Sequence, residues 1–183
     1  MSISRLRLAG VAAALLSLSI TIPTFAHPVK RAAQSQDLPN FHTVAPGIYR
    51  GAAPTDAGLQ KLKAMGVKTI IDLRIAPKTV KKEGQTARAM GFKWVNLPMG
   101  AEAPTKKEVD TLLSTLNTAT PQNPVFVHCQ HGADRTGCML GVYRVTHDHW
   151  SYSQAMAEAR KFGFNPRWKN LSGTVNRYAA SQH

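Results

Sequence analysis

Cysteine, acidic residues and long apolar runs are all scarce in this chain of 183 residues. It carries two cysteines, and 10 acidic residues stand against 23 lysines and arginines. No apolar run reaches the ~20 residues that a helix needs to span a bilayer, so the sequence predicts no membrane span. The length suits one domain, whose core is large enough to fold without disulfide staples. The shortage of acids leaves a formal net charge of +13, which favours anionic partners.

The basic surplus is not organised for reading nucleic acid. The sequence shows no interleaving of aromatic and basic residues, no zinc-ligand spacing and no recognition-helix pattern. The charge therefore indicates general attraction to anions such as phosphorylated proteins or other phosphoesters. We expect no specific nucleic-acid partner and a monomeric protein.

The first 26 residues have the pattern of a secretory signal peptide. Arg5 and Arg7 precede an uncharged apolar run over 8–22, and the segment breaks at Pro23 and ends at Ala26. This order predicts export with cleavage after Ala26, to a periplasm or to the medium. A retained N-terminal anchor is the alternative.

The rest of the chain divides into a polar segment and a patterned one. Residues 27–40 predict a flexible lead-in, and residues 41–183 predict one domain. Short apolar, β-rich runs alternate there with helical patterns, which indicates an α/β fold. A capping box over 105–108 marks the start of one helix. The predicted helices run over about 55–65, 80–90, 105–116, 136–143, 151–162 and 171–180.

Residues 128–137, which read His-Cys-Gln-His-Gly-Ala-Asp-Arg-Thr-Gly, carry most of the functional information. An apolar run precedes them and a helical pattern follows, so the predicted order is strand, tight loop and helix N-terminus. Such a loop can wrap backbone N–H groups around a phosphate dianion, and the helix end favours Cys129 as a thiolate. The planar fork of Arg135 can hold two phosphate oxygens. These features predict cleavage of a phosphate ester.

The remaining loop residues are predicted to contact the substrate. Thr136 is also placed to donate a hydrogen bond to the sulfur, which would stabilise the thiolate before attack and as a leaving group. The predicted contact set is Gln130, His131, Gly132, Ala133 and Thr136.

The pattern His-Cys-x-x-Gly-x-x-Arg-Thr-Gly resembles the signature of the cysteine-dependent protein tyrosine and dual-specificity phosphatase superfamily. With Tyr143-Arg144 and His149-Trp150 downstream, the run over 132–137 is similar to small bacterial members. The resemblance implies a single compact domain of the dual-specificity type, with a central, mostly parallel sheet flanked by helices. It also implies hydrolysis through a cysteinyl-phosphate, without a metal ion or another cofactor.

The general acid is less clear from the sequence. The superfamily usually has an Asp on a loop upstream of the Cys, but the corresponding loop here, 98–104, contains only Glu102. Asp134 is the rival, at a position that resembles the Asp of myotubularin-like signatures, where it is proposed to act as the acid. Asp134 must lie near bound phosphate, whereas Glu102 depends on how its loop folds, so we favour Asp134.

Asp72 and Arg74 end a strongly apolar strand. Ligands of open α/β sheets collect beyond the carboxyl ends of the strands, so both residues are candidates to line the pocket. Related phosphatases carry a similar Asp-Leu-Arg as a support for the site. Structural support and direct substrate contact both remain open for this pair.

Cys138 raises the question of a disulfide, because an exported protein meets an oxidising compartment. A bond to Cys129 would need local distortion and would consume the nucleophile. The simpler prediction is a small buried apolar residue, with a reversible protective disulfide as the alternative. The run over 147–150 contains two histidines but lacks a full ligand set, so we expect no metal there.

The substrate is the most open point. The resemblance favours phosphotyrosine proteins or a dual-specificity range, whereas His131 and the basic balance favour phosphoinositides or inositol polyphosphates. A phosphate-binding module with little turnover is a different class of function. The missing upstream Asp favours it, whereas the intact Cys129 argues against it. A sulfur-transfer protein also uses a loop cysteine, but a loop fitted to phosphate suits it poorly.

Overall fold

The computed structural model describes residues 36–181, so the predicted signal peptide, residues 27–35 and residues 182–183 lie outside the described part. Its sheet has the strand order β1-β2-β5-β3-β4, in which β1 pairs antiparallel with β2 and the other neighbours are parallel. This confirms the predicted α/β fold with a mostly parallel sheet. The strands are β1 (His42–Ala45), β2 (Ile48–Ala52), β3 (Thr69–Asp72), β4 (Lys93–Asn96) and β5 (Val125–Cys129).

Six helices flank the sheet in the described residues, and three begin with a polar cap. The Thr55 side chain accepts from a backbone N–H of α1, and Thr105 with Glu108 forms the predicted capping box of α3. A second capping box, Ser151 with Gln154, opens α5. The helices are α1 (Asp56–Ala64), α2 (Pro77–Ala89), α3 (Lys106–Leu116), α4 (Asp134–His147), α5 (Tyr152–Lys161) and α6 (Lys169–Ala180).

Helix α2 begins before its predicted start. The apolar pattern placed its first residue near Val80, but Pro77 already occupies the first helical position. Proline suits that position because its fixed φ is helical and its missing N–H would be unpaired there in any case. Over residues 36–181, none of the helices combines the length and apolarity that crossing a membrane requires.

The central strand β5 builds a core on each face of the sheet because successive side chains point to opposite faces. Val125 and Val127 belong to the core that includes Leu112 of α3 and the buried face of α4. Phe126 belongs to the second core, with Leu59 of α1. By the same alternation Cys129 lies on the α3 and α4 side of the sheet.

The segment before β1 is part of the domain. Leu38 is buried, and the Asp37 carboxylate accepts from Lys61 Nζ at 2.7 Å. The Asn40 side chain reaches the loop that follows β5. Residues 37, 38 and 40 of the predicted lead-in thus contact the domain, and residues 27–35 lie outside the described part.

Helix α3 supplies a test of the packing. Leu112 is fully buried, so Leu112→Ala should lower the free energy of unfolding by about 2–5 kcal/mol, from lost transfer energy and a residual cavity. Its neighbour Leu113 is only partly buried, so Leu113→Ala should cost clearly less. Urea denaturation measures both, and equal losses would contradict the orientation of α3.

Candidate active site

Residues 129–135, here called the phosphate loop, join the end of β5 to the start of α4. Cys129 is the last residue of β5 and its side chain is only 2% exposed. Asp134 and Arg135 are the first residues of α4, where backbone N–H groups have no partner within the helix. The sequence-predicted nucleophile and phosphate-holding arginine are thus brought to the two ends of one loop.

Gly132 allows the phosphate loop to lie directly against β2. Its φ is +66°, and an added Cβ would lie 2.4 Å from the carbonyl carbon and oxygen of Gly51. Only glycine meets both the conformation and the close backbone approach without strain. The glycine of the motif is therefore needed for the shape of the loop, in addition to any contact with substrate.

A cavity of about 300 Å³ opens at the phosphate loop. Part of its wall is the loop itself, through His131, Asp134 and Arg135. The opposite residues come from the loop before α3 and from the start of α6. The complete lining is Gly100, Ala101, His131, Asp134, Arg135, Trp168 and Leu171.

A larger cavity, of about 560 Å³, lies elsewhere. Its lining comes from the end of α4, the start of α5 and the end of α6, and includes His149 and Trp150. None of the predicted site residues lines it. The predicted site residues therefore favour the smaller cavity as the candidate active site.

Arg135 is half-buried and is held by the loop that connects β4 to α3. Its Nη1 donates to the Met99 carbonyl at 3.3 Å. This contact orients the guanidinium while leaving most of its donors for an anion. Arg135 is therefore placed to hold two phosphate oxygens, as its position in the motif predicts.

The two candidate acids have different surroundings. Asp134 lines the cavity, and its Oδ1 accepts from the backbone N–H of Asn165 at 2.7 Å. Glu102 is exposed and absent from the lining, and its Oε2 accepts from Asn170 Nδ2 at 2.9 Å. The geometry brings Asp134 to the site and leaves Glu102 at its edge.

The predicted hydrogen bond from Thr136 to the sulfur is not present. The Thr136 hydroxyl is fully buried, and its oxygen has no hydrogen-bond partner within residues 36–181. A buried hydroxyl without a partner is costly. Of the residues predicted to contact substrate in the loop, His131 lines the cavity, whereas Gln130, Gly132, Ala133 and Thr136 do not, and neither does Cys129.

Asp72 and Arg74 lie beneath the site in a buried charge network rather than in the cavity. Arg74 Nε and Nη2 donate to the two Asp72 oxygens at 2.9 and 2.8 Å, and Nη2 also donates to Glu83 of α2. Burial lowers the pKa of Arg74, but the bonds and charges of both carboxylates outweigh it and raise that pKa. Of the two interpretations left open by the sequence, structural support fits this geometry.

His128 completes this network on the α1 and α2 side of the sheet. Its Nε2 lies 3.1 Å from Glu83 Oε1, and its Nδ1 lies 3.3 Å from the Cys129 carbonyl. Asp72, Glu83 and His128 are close enough together to hold a metal ion, but the Arg74 guanidinium already donates to both carboxylates. Sequence reasoning missed Glu83, although it is the one acidic residue of α2 and lies on that helix's buried face.

Cys138 is a fully buried thiol. Its Sγ donates to the Leu171 carbonyl at 3.3 Å, and burial raises the pKa of the thiol to about 12. Both cysteines are free thiols in this structure. A thiol with this pKa stays protonated near neutral pH, so Cys138 acts as a small buried residue and Cys129 is the candidate nucleophile.

The shape of the phosphate loop can be tested through its glycine. Gly132→Ala should weaken binding of vanadate, a phosphate mimic, and lower the free energy of unfolding by about 1–3 kcal/mol, because both φ and the Gly51 backbone oppose a Cβ. Isothermal titration and urea denaturation measure the two effects.

Gly173→Ala is the matched control for this test. Gly173 lies in α6, where the nearest atom to an added Cβ is 3.8 Å away, so this change should leave vanadate binding intact and stabilise the helix by up to ~1 kcal/mol. Wild-type vanadate affinity in Gly132→Ala would contradict the role given to the loop.

Comparisons with known proteins agree with this geometry. The family model described as "DSP-PTPase phosphatase fused to NAD+ Kinase" matches residues 19–170. The dual specificity protein phosphatase TpbA of Pseudomonas aeruginosa is 30% identical over 126 residues, which are 68% of this chain and 55% of TpbA. Inositol diphosphatase DSP3 of Arabidopsis thaliana is 28% identical over 127 residues, which are 67% of this chain and 61% of DSP3. This chain thus aligns with less than two thirds of each relative's length.

A solved structure shares the fold. The crystal structure of a P. aeruginosa TpbA variant in complex with pTyr matches with a TM-score of 0.64 at 22% identity, over 81% of this chain and 98% of that one. The fold, the signature loop and the family match over most of the sequence lead to one conclusion. This chain belongs to the superfamily of cysteine-dependent phosphatases of the dual-specificity type.

Proposed function

We propose that this chain is a metal-independent phosphomonoester hydrolase that acts on phosphorylated proteins through a cysteinyl-phosphate intermediate. The observation that carries the proposal is the phosphate loop, which begins at the buried Cys129 and ends at Arg135 on the wall of a cavity. The start of α4 adds unpaired N–H groups and a partial positive charge to the same place.

The proposed reaction has two displacements. The Cys129 thiolate attacks phosphorus in line, so an S–P bond forms while the P–O bond to the leaving group breaks, and an acid protonates the departing oxygen. Water then attacks the cysteinyl-phosphate, gives its proton to the conjugate base of that acid, and releases phosphate and the thiolate. Arg135 and the loop amides hold the non-reacting oxygens throughout.

Asp134 is the proposed acid. It lines the cavity with Arg135, whereas Glu102 lies outside the lining and is hydrogen-bonded to Asn170. A general acid must come within hydrogen-bond reach of the leaving oxygen, and Asp134 is the carboxylate that lines the cavity. Glu102 is the second candidate, since it follows directly after Ala101 of the cavity wall.

Phosphotyrosine is the proposed substrate, alone or within a dual-specificity range. Trp168, 40% exposed, and Leu171 give the cavity an apolar wall that suits an aromatic ring. The relative TpbA is a dual specificity protein phosphatase, and a TpbA structure holds pTyr.

Inositol polyphosphates are the alternative substrates. Relatives such as DSP3 are inositol diphosphatases, and His131 stands beside Arg135 in the lining, where it can add a second positive charge. The cavity nevertheless offers few cations for a ligand with several phosphates.

We also propose export, which rests on the signal-peptide pattern of residues 1–26.

The nucleophile is tested with p-nitrophenyl phosphate in the presence of chelator and reductant. The wild type should hydrolyse the ester without metal, and Cys129→Ser should reduce the rate to that of the blank, because a hydroxyl is not ionised near neutral pH. Full activity of Cys129→Ser would contradict the cysteinyl mechanism. An inactive wild type that still binds phosphate would identify a binding module instead.

The acid is tested by comparing Asp134→Asn with Glu102→Gln. Asp134→Asn should lower kcat about 10²-fold, with a greater loss for esters with poor leaving groups, while Glu102→Gln should change little. Asp110→Asn is the control, because this exposed carboxylate pairs with Lys106 on α3 and does not line the cavity. A larger loss in Glu102→Gln would assign the acid to the upstream loop.

A further inference from the structure

The carbonyl groups of the phosphate loop need donors. A loop that turns N–H groups toward a phosphate turns carbonyls toward the protein, where a buried oxygen without a partner is costly. Two of these carbonyls find backbone donors. Gln130 O accepts from Ala53 N at 3.3 Å, and Ala133 O accepts from Gly137 N at 2.7 Å.

The two middle carbonyls are those of His131 and Gly132. They accept from two side chains, Asn40 before β1 and Arg50 in β2. Asn40 Nδ2 lies 3.1 Å from His131 O and 3.2 Å from Gly132 O, and also 3.1 Å from the carbonyl of Phe162 after α5. Arg50 Nη2 donates to Gly132 O at 2.7 Å. Sequence analysis assigned no role to Asn40 or Arg50.

Arg50 is an unusual cation because it is buried without an ion pair. Its side chain is 1% exposed, and no carboxylate of the described residues lies within salt-bridge distance. Its Nε has no hydrogen-bond partner among them, and its Cζ lies 4.4 Å from the centroid of the Phe162 ring. A buried cation of this kind is costly unless negative charge lies near it.

The charges that act on Arg50 come from three elements. Burial lowers the pKa of Arg50 to about 10, while Glu158 of α5 and Cys129 of β5 act to raise it and Arg144 of α4 acts to lower it. The guanidinium therefore stays charged near neutral pH.

We propose that Arg50 is a positioning residue for the phosphatase reaction, because it holds the Gly132 carbonyl from behind the phosphate loop and so fixes the shape in which the loop binds an anion. Asn40 holds the neighbouring carbonyl in the same way. This inference rests on the proposed function, but its effect on anion binding can be measured without turnover.

The test compares Arg50→Met, Arg50→Lys and a buried control, Arg144→Met. Arg50→Met should weaken vanadate inhibition about 10-fold and lower kcat/KM at least as much, a smaller loss than removing a direct oxyanion donor would cause. Arg50→Lys should recover part of both losses because it keeps the charge. Vanadate inhibition, kcat and KM are measured for each variant, with thermal unfolding as a check of the fold.

Arg144→Met separates positioning from stability. Arg144 is also a buried arginine, but it pairs with Asp148 and Glu158 and makes no hydrogen bond to the phosphate loop. Its loss should lower Tm while vanadate inhibition stays within about twofold of wild type. If Arg50→Met binds vanadate as the wild type does, or Arg144→Met weakens binding equally, the proposal is overturned.

Two further measurements keep the proposal testable if a variant does not fold or the enzyme shows no turnover. Asn40→Ala removes a half-buried side chain and should weaken vanadate inhibition several-fold with a small change in Tm. In a Cys129→Ser background, calorimetric binding of inorganic phosphate should fall about 10-fold on adding Arg50→Met. Unchanged phosphate binding there would contradict the role of Arg50 whatever the activity of the wild type.

Discussion

The backbone of the phosphate loop can bind an anion only if its N–H groups converge on one point, and the rest of the fold is arranged around that demand. The loop sits between the end of β5 and the start of α4, so the strand fixes Cys129 and the helix fixes Arg135. Gly132 allows the loop to pack on the backbone of β2. Side chains from that direction then satisfy the carbonyls that point away from the anion.

Charge is distributed around the loop in two different ways. On the anion side, Arg135 faces the cavity and keeps most of its donors available. Below the loop, Arg74 donates to both Asp72 and Glu83, so it links the end of β3 to α2 and has few donors left for substrate. Two arginines near one site thus do different work, and the difference follows from whether a carboxylate already holds the guanidinium.

Local patterns predicted much of this structure. The capping box of α3 and the strand-loop-helix order around Cys129 are short-range signals, and both are present. The signature loop predicts Cys129 as the nucleophile and Arg135 as the phosphate-binding arginine, and both lie in one loop because their spacing is set within a few residues. The favoured acid, Asp134, lies on the cavity for the same reason.

The parts that the sequence did not reveal all depend on contacts between distant residues. Asn40 and Arg50 meet Gly132 from 92 and 82 positions away, so no local pattern could assign them to the loop. Glu83 carried a signal, a lone acid on the buried face of α2, but its partners come from β3 and β5. The predicted hydrogen bond from the Thr136 hydroxyl to the Cys129 sulfur is absent, because a motif fixes which residues are neighbours in sequence but not how a hydroxyl is rotated.

Mass spectrometry of the acid-quenched enzyme tests the central claim most directly. Reduced protein is mixed with excess p-nitrophenyl phosphate, quenched in the steady state and digested, and the peptide that contains Cys129 is examined for a phosphoryl group. The account predicts phosphate on Cys129 and none on the peptide that contains Cys138, whose thiol is buried and protonated. Turnover without any phosphorylated Cys129, or phosphate on another residue, would contradict it.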